Sequence, residues 1–159
     1  MIKNKKAFLV LLTALIVFFT AKTLLGHCQV PCGIYDDKMR IQMLYEHITT
    51  IEKAMNQVIA LSKEAAPNYN QIVRWVVNKE KHAEDMDQIV SYYFLTQRIK
   101  PVAPDDKKAY AHYRHQLELL HHLLVFTMKA KQSTDLSLIQ KLRDVVKKFE
   151  QAYFKPHHH

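Results

Sequence analysis

Residues 37–63 read DKMRIQMLYEHITTIEKAMNQVIALSK, and this stretch indicates the fold more clearly than any other. Its apolar residues recur in steps of three and four, the spacing that places side chains along one side of an α-helix. Asp36 and Asp37 stand at its start and are suited to cap a helix N-terminus. The stretch therefore predicts a long amphipathic helix whose stripe packs against neighbours. That stripe is Ile41, Leu44, Ile48, Ile51, Met55, Val58 and Ser62.

Three later stretches have the same character. Apolar stripes run through residues 69–99, 105–131 and 136–153, with prolines or a fresh capping sequence between them. The second stripe comprises Ile72, Val73, Val76, Val77, Ala83, Met86, Ile89, Val90, Tyr93 and Phe94. The charged run at 79–84 is expected to face water, at least in part. Four amphipathic helices with short links predict an all-α fold, an antiparallel up-down four-helix bundle over residues 37–154.

Composition agrees with one helical domain and limits the partners. The 159 residues include only 2 glycines, and the formal net charge is +8. The first 26 residues carry four lysines and no acid, so the remainder holds 19 basic and 15 acidic residues, a charge of +4. This bias does not argue for nucleic acid as a partner. A mild positive field can still attract a small anion.

Residues 1–26 have the layout of a secretory signal peptide. A lysine-rich start precedes an apolar run from residue 7 to residue 21, and Gly26 stands before His27. The run is short for a membrane span, which needs about 20 residues. Cleavage after Gly26 predicts an exported protein, periplasmic or extracellular. A retained membrane anchor, with the chain facing outside the cytoplasm, is the alternative.

The segment that follows, residues 27–36, concentrates metal-binding groups. After cleavage, His27 would offer an α-amine and an imidazole, while Cys28 and Cys32 would offer thiolates. Pro31 and Gly33 can bend the segment so that both sulfurs reach one ion. Two thiolates with backbone nitrogens form a square-planar set that favours nickel(II) or copper(II). A structural disulfide between the chain's only two cysteines is the simpler reading of the same pair.

The run HCQVPCGIY at residues 27–35 resembles the nickel-hook motif of nickel superoxide dismutases, His-Cys-x-x-Pro-Cys-Gly-x-Tyr at a processed N-terminus. It agrees at every fixed position. Similarity continues more weakly through residues 40–41, Arg74, 79–80 and 91–94. The resembled family also folds as a four-helix bundle, and its members assemble as hexamers.

The resemblance implies a function and a set of site residues. The metal ligands would be His27, Cys28 and Cys32, with nickel ion as the cofactor. Tyr35 would stand over the open face of the metal and Tyr93 would line the approach, both as catalytic residues. The implied enzyme is a superoxide dismutase that converts superoxide anion to oxygen and hydrogen peroxide, within a homo-oligomer.

Several positions depart from the resembled pattern. Gln29 replaces an acidic residue, and a supporting glutamate–arginine pair aligns with Gln42 and His82. Neighbours of metal ligands tune the bound metal. Because affinity for divalent metals rises towards copper, copper ion is the alternative cofactor.

Two other functions use the same residues differently. A non-catalytic envelope protein that binds copper or nickel would need the donors but no open face. A membrane-tethered helical interaction protein would keep the leader and oxidise the cysteines.

His112, His115 and His122 share one helical side and suggest either a second metal site or a solvated surface. The tail at 155–159 ends in three histidines, which are a tag remnant or a natural metal tract.

Overall fold

The computed structural model describes residues 33–154, and within that range the chain is helical without any strand. Helix α1 is Asp37–Leu61, α2 is Tyr69–Gln88, α3 is Lys107–Gln132 and α4 is Ser137–Phe154. A π-helical segment, Ile89–Arg98, continues directly from α2. The four predicted helices are confirmed, with their ends within two residues of the predicted positions. The π-helical segment at the end of the second predicted helix was not predicted.

Three helices begin at a side-chain cap. Asp36 accepts a hydrogen bond from the Met39 amide at 2.9 Å, Asn68 from the Gln71 amide at 3.2 Å, and Asp106 from the Ala109 amide at 3.0 Å. The first amides of a helix have no partner within the helix, so these oxygens satisfy donors that would otherwise depend on water. Of the two aspartates suited to cap α1, Asp36 takes that role, and Asp37 is free for another.

The helices form a closed ring of neighbours around one core. Contacts join α1 to α2, α2 to α3, α3 to α4 and α4 back to α1, which is the up-down arrangement predicted. The α1 stripe is buried from Ile41 to Met55, whereas Ser62 is exposed. The largest fully buried side chains are Phe94, Phe149, Ile41, Leu44, Ile48, Ile51, Met55, Met86, Leu120, Leu123, Leu142 and Val90.

The predicted stripe of the second helix is wrong at two positions. Val73 and Val77 are 58% and 60% exposed, and Tyr69, on the same side of α2, is 71% exposed. The inward side runs instead through Ile72, Val76 and the positions that follow at helical spacing, so Val73 and Val77 are rotated by about 100° from it. Tyr69, Val73 and Val77 form an exposed apolar stripe along the first half of α2.

The charged run at 79–84 faces water in part, as predicted, through Lys81 and Glu84, and Lys79 is the exception. Its side chain is buried, and its ammonium group donates to the carbonyls of Ala130, Lys131 and Ser133 at 2.8, 2.6 and 2.9 Å. Burial lowers the pKa of Lys79, and nearby Glu80 opposes that shift. A cation at a helix C-terminus satisfies carbonyls that have no partner within the helix. Lys79 therefore ties α2 to the end of α3.

Asp87 introduces a pH-dependent cost into this part of the bundle. Burial raises the pKa of Asp87 to about 6, with Lys131 opposing the shift and Glu84 adding to it, and its Oδ1 atom is buried without a hydrogen bond. Folding raises the pKa of Asp87, so the folded state favours the protonated carboxyl. The stability of the bundle is therefore undiminished below about pH 4, and it falls as pH rises through 6 and Asp87 must ionise where it is buried.

Asp87→Asn should therefore stabilise the protein at pH 7.5 by about 1–2 kcal/mol and change little at pH 4.5. Urea unfolding of both proteins at the two pH values measures this difference. The exposed Asp144→Asn serves as the control and should show no such pH dependence. An equal effect of Asp87→Asn at both pH values would contradict the assignment.

The leader, the first six hook residues and the histidine tail lie outside the described residues, which leave out 1–32 and 155–159. The structure therefore bears on the hook only from Gly33 onward. Of the helices between residues 33 and 154, none combines the length and apolar character that a membrane crossing requires.

Candidate active site

Gly33 turns the chain just before α1. Its φ of +77° lies in the left-handed region, which a residue with a Cβ adopts only at a cost. No heavy atom lies within 4 Å of the position that a Cβ would occupy, so the backbone conformation rather than crowding explains glycine here. After this turn Ile34 projects into solvent and Tyr35 packs onto the bundle.

Tyr35 rests on three side chains of the π-helical segment. Its ring meets Tyr93 edge to face, with centroids 5.8 Å apart, and the guanidinium carbon of Arg98 lies 4.4 Å from its centroid. Its hydroxyl donates to Oε1 of Gln97 at 3.4 Å, a long hydrogen bond. These contacts fix the ring while leaving the residue 40% exposed, so Tyr35 is both positioned and open to solvent.

Asp37 is the centre of the hydrogen-bond network beneath Tyr35. Arg98 binds it in bidentate fashion, from Nε to Oδ1 at 2.8 Å and from Nη2 to Oδ2 at 2.6 Å. The Tyr93 hydroxyl donates to Oδ1 at 2.6 Å, and the Tyr153 hydroxyl donates to Oδ2 at 2.9 Å. One carboxylate thus links the start of α1 to the π-helical segment and to the end of α4.

The network fixes the protonation of its members. Burial alone would raise the pKa of Asp37, but the hydrogen bonds from Arg98, Tyr93 and Tyr153 outweigh it and the pKa falls. Burial, and then the bond to Asp37, raise the pKa of Tyr93 well above its usual value and that of Tyr153 to about 12. Asp37 is therefore charged near neutral pH, and both phenols keep their protons.

The π-helical geometry decides which side chains reach Tyr35. The Ile99 amide bonds to the Phe94 carbonyl at 2.8 Å, five residues back, and Gln97 Nε2 donates to the Tyr92 carbonyl at 2.7 Å. Wider turns of this kind are rare and recur at functional sites. Here the extra width brings Tyr93, Gln97 and Arg98 to one side of the segment.

Arg40 adds a positive charge beside this network. Its guanidinium carbon lies 5.1 Å from the centroid of the Tyr93 ring, and Nη1 contacts the Met43 sulfur at 3.5 Å. Arg98 is neutralised by Asp37, whereas no carboxylate pairs with Arg40 in the described part of the chain. Arg40 therefore adds a positive charge next to the Tyr93 ring.

The structure brings together some of the residues predicted from the sequence. Tyr35 and Tyr93 are in ring contact, while His27, Cys28 and Cys32 lie outside the described residues. Gln42 is exposed, and His82 contacts His47. Of the three histidines predicted to share one side of α3, His115 and His122 are exposed. Residues 33–154 contain one cluster of side chains with the spacing of metal ligands, and it includes none of these three histidines.

Sequence reasoning missed Asp37, Arg98, Tyr153 and Arg40. Asp37 was assigned to a cap, and Tyr153 was assigned to an apolar stripe. These residues converge because of the π-helical segment and because the end of α4 packs against the start of α1, with Tyr153 bonded to Asp37 116 residues earlier. The periodicity of apolar residues shows neither feature. The polar residues 96–98 at the end of a long apolar helix were the available signal.

Fold and sequence together define a class: a four-helix bundle with a tyrosine pair at the start of α1, preceded in sequence by a segment that holds both cysteines. The sequence model of a family described as nickel-containing superoxide dismutase matches residues 22–157. The chain therefore belongs to the nickel-containing superoxide dismutase family. It is a superoxide dismutase with nickel as its cofactor, and superoxide is its substrate.

Solved structures agree at the level of the fold. A native nickel superoxide dismutase is 23% identical, with a TM-score of 0.59, over 80% of this chain and 97% of the other. A mutant of nickel superoxide dismutase is 20% identical, with a TM-score of 0.57, over 80% and 96% of the two chains. No curated protein sequence matches the chain.

The donor chemistry of the sequence fits nickel. Residues 27–32 provide two thiolates, an imidazole and backbone nitrogens, and such nitrogen and sulfur donors suit square-planar nickel(II). Family membership favours an enzyme over a non-catalytic metal-binding protein.

Proposed function

We propose that the dismutase site of this chain is formed by His27, Cys28 and Cys32 as nickel ligands, with Tyr35 at the entrance to the metal. The observation that carries the proposal is the fixed position of Tyr35, which packs on Tyr93 and beneath the Arg98 guanidinium. An exposed tyrosine held by an aromatic ring and a cation is suited to order water and to restrict access to small anions.

Chain length supports the role of Tyr35. It follows Cys32 by three residues, so an extended chain separates their Cα atoms by about 11 Å at most. The turn at Gly33 shortens that reach. A metal held by the Cys32 sulfur would therefore be within reach of the region around Tyr35.

The overall reaction joins two superoxide anions and two protons to give one oxygen and one hydrogen peroxide. Nickel bound at the hook supplies the one-electron redox chemistry. The Tyr35 hydroxyl is positioned to hold water or the peroxide product and to pass a proton. The Tyr93 hydroxyl is committed to Asp37 at 2.6 Å, which leaves it a positioning role beneath Tyr35.

Arg40 beside Tyr93 supports attraction of an anionic substrate. Arg40 provides a cation without a carboxylate partner in the described residues, and the chain after residue 26 carries a small positive excess. Positive potential at an entrance raises the encounter rate of anions, and added salt reduces that gain.

The experiment that tests this assignment measures superoxide decay by stopped flow with the mature chain beginning at His27, nickel-loaded and metal-free. We expect rapid catalytic decay with about one nickel per chain and none without metal. Stoichiometric nickel binding without catalytic decay would overturn the proposed site.

We also propose that the chain is exported and processed before His27, as the layout of residues 1–26 supports. Intact mass of the protein recovered outside the cytoplasm should correspond to a chain that starts at His27. A mass that includes residues 1–26, with the protein in the membrane fraction, would favour the retained anchor.

We further propose that the protein assembles as a homo-oligomer, with a hexamer implied by family resemblance. The exposed stripe of Tyr69, Val73 and Val77 supports an interface, because contiguous exposed apolar surface is uncommon in monomers.

Introducing Val73→Glu together with Val77→Glu should convert the assembly to smaller species, since two buried charges would oppose contact. Light scattering after size-exclusion chromatography measures the mass. Ala111→Glu, at an exposed position of α3, is the control and should leave it unchanged. An unaltered mass for the double variant would place the interface elsewhere.

A further inference from the structure

His47 and His82 meet across the interface between α1 and α2. Their Nδ1 atoms lie 2.8 Å apart, and the ring centroids are separated by 5.1 Å with a tilt of 56°. Asp85 follows His82 by three residues and so lies on the same side of α2. One ligand atom from each of the three residues lies within 4.8 Å of the other two, and all three are half-buried.

The surroundings leave these groups ready to bind a cation. Burial, and then the neighbouring His82, lower the pKa of His47, which favours the neutral imidazole. The Nε2 atom of His47 is buried with no hydrogen-bond partner, so the ring is directed by its contact with His82. Asp85 is paired with Lys81, whose side chain is 65% exposed and can leave without loss of packing.

We propose that His47, His82 and Asp85 form a second metal site, which binds a divalent transition-metal ion between α1 and α2 and uses none of the hook donors. Two imidazoles and a carboxylate are ligands that zinc, copper and nickel accept, and calcium and magnesium favour all-oxygen sites. Three protein ligands leave room for water or a further donor. The ion joins the middle of α1 to α2 and adds a cross-link to the bundle.

The site shares no residue with the one proposed for catalysis. Its residues belong to the middle of α1 and the second half of α2, whereas the dismutase ligands precede residue 33. The two sites also differ in donors, because the hook offers thiolates and this site offers none. The two proposals can therefore fail independently.

The test is a zinc(II) titration by calorimetry of the nickel-loaded mature chain, with His157, His158 and His159 replaced by alanine in every sample. We expect one zinc per chain in addition to nickel, with a rise in thermal unfolding temperature. His47→Gln, His82→Gln and Asp85→Asn should each weaken zinc binding by about 100-fold or more. A loss of that size exceeds what is expected from removing a residue that only hydrogen-bonds to a metal ligand.

Two controls make the result specific. His115→Gln removes an exposed imidazole and should leave zinc binding unchanged, and Cys28→Ser should abolish nickel binding at the hook while the zinc site persists. Asp85→Asn keeps the size of a half-buried side chain, and circular dichroism verifies that it folds. Absence of a second ion, or zinc affinity unaffected by the three ligand variants, would overturn the proposal and leave a histidine–histidine hydrogen bond.

Discussion

Cys28→Ser in the mature protein should remove nickel and reduce dismutation by at least about 1,000-fold, the scale of losing an essential catalytic group. Serine keeps the shape of the side chain but replaces a thiolate by a weakly acidic hydroxyl, which is a poor ligand for nickel(II). Nickel content by elemental analysis and superoxide decay by stopped flow measure the two effects on the same sample.

Gln29→Ala is the matched control for this loss. It alters the neighbouring residue of the hook without removing a proposed donor, so nickel and activity should both be retained. Full activity in Cys28→Ser would exclude its sulfur as a ligand. Retained nickel with lost activity would instead assign Cys28 to redox tuning rather than to metal binding.

Asp37→Asn should have the second largest effect, because it removes the charge that holds Arg98, Tyr93 and Tyr153 together. Arg98 would remain partly buried without its carboxylate, at a cost of about 2 kcal/mol in the free energy of unfolding. Tyr35 would lose its fixed support, and we expect kcat to fall about tenfold. Urea unfolding and steady-state dismutation provide the measurements.

Asp36→Asn is the control, since asparagine also caps a helix and the Asp36 side chain accepts from the Met39 amide. It should change neither stability nor rate appreciably. A second check is pH. The pKa of Asp37 is lowered by folding, so its stabilisation is present above its usual pKa near 3.8 and is lost as pH falls further. A stability difference between wild type and Asp37→Asn that stayed the same at neutral and at acid pH would contradict the network.

The fold was accessible from the sequence because its signals are local. Apolar spacing, caps and breaks determined the helices, and the buried α1 stripe from Ile41 to Met55 follows directly from the heptad pattern. The wrong positions Val73 and Val77 and the unpredicted burial of Lys79 have a common cause. Which side of a helix faces inward, and whether a lysine reaches the carbonyl end of another helix, depend on how neighbours pack.

The candidate site was accessible only in part. A short motif identified Tyr35, and resemblance identified Tyr93, but the Asp37–Arg98 ion pair beside them joins residues 61 positions apart in the chain. The π-helical segment that presents Gln97 and Arg98 was not predicted, because such segments are rare and the apolar residues at 89, 90, 93 and 94 also fit the spacing of an α-helix. The contact of His47 with His82 likewise required two helices to be placed side by side.

The central claim is that a redox metal bound at the processed N-terminus carries out dismutation. The most direct measurement compares superoxide decay and nickel content for the chain that begins at His27 and for the same chain with one extra alanine before it. The extension displaces the α-amine from the hook without touching the bundle. We predict that activity is lost in the extended chain, whereas equal activity in both would show that the free amine of His27 takes no part in the metal site.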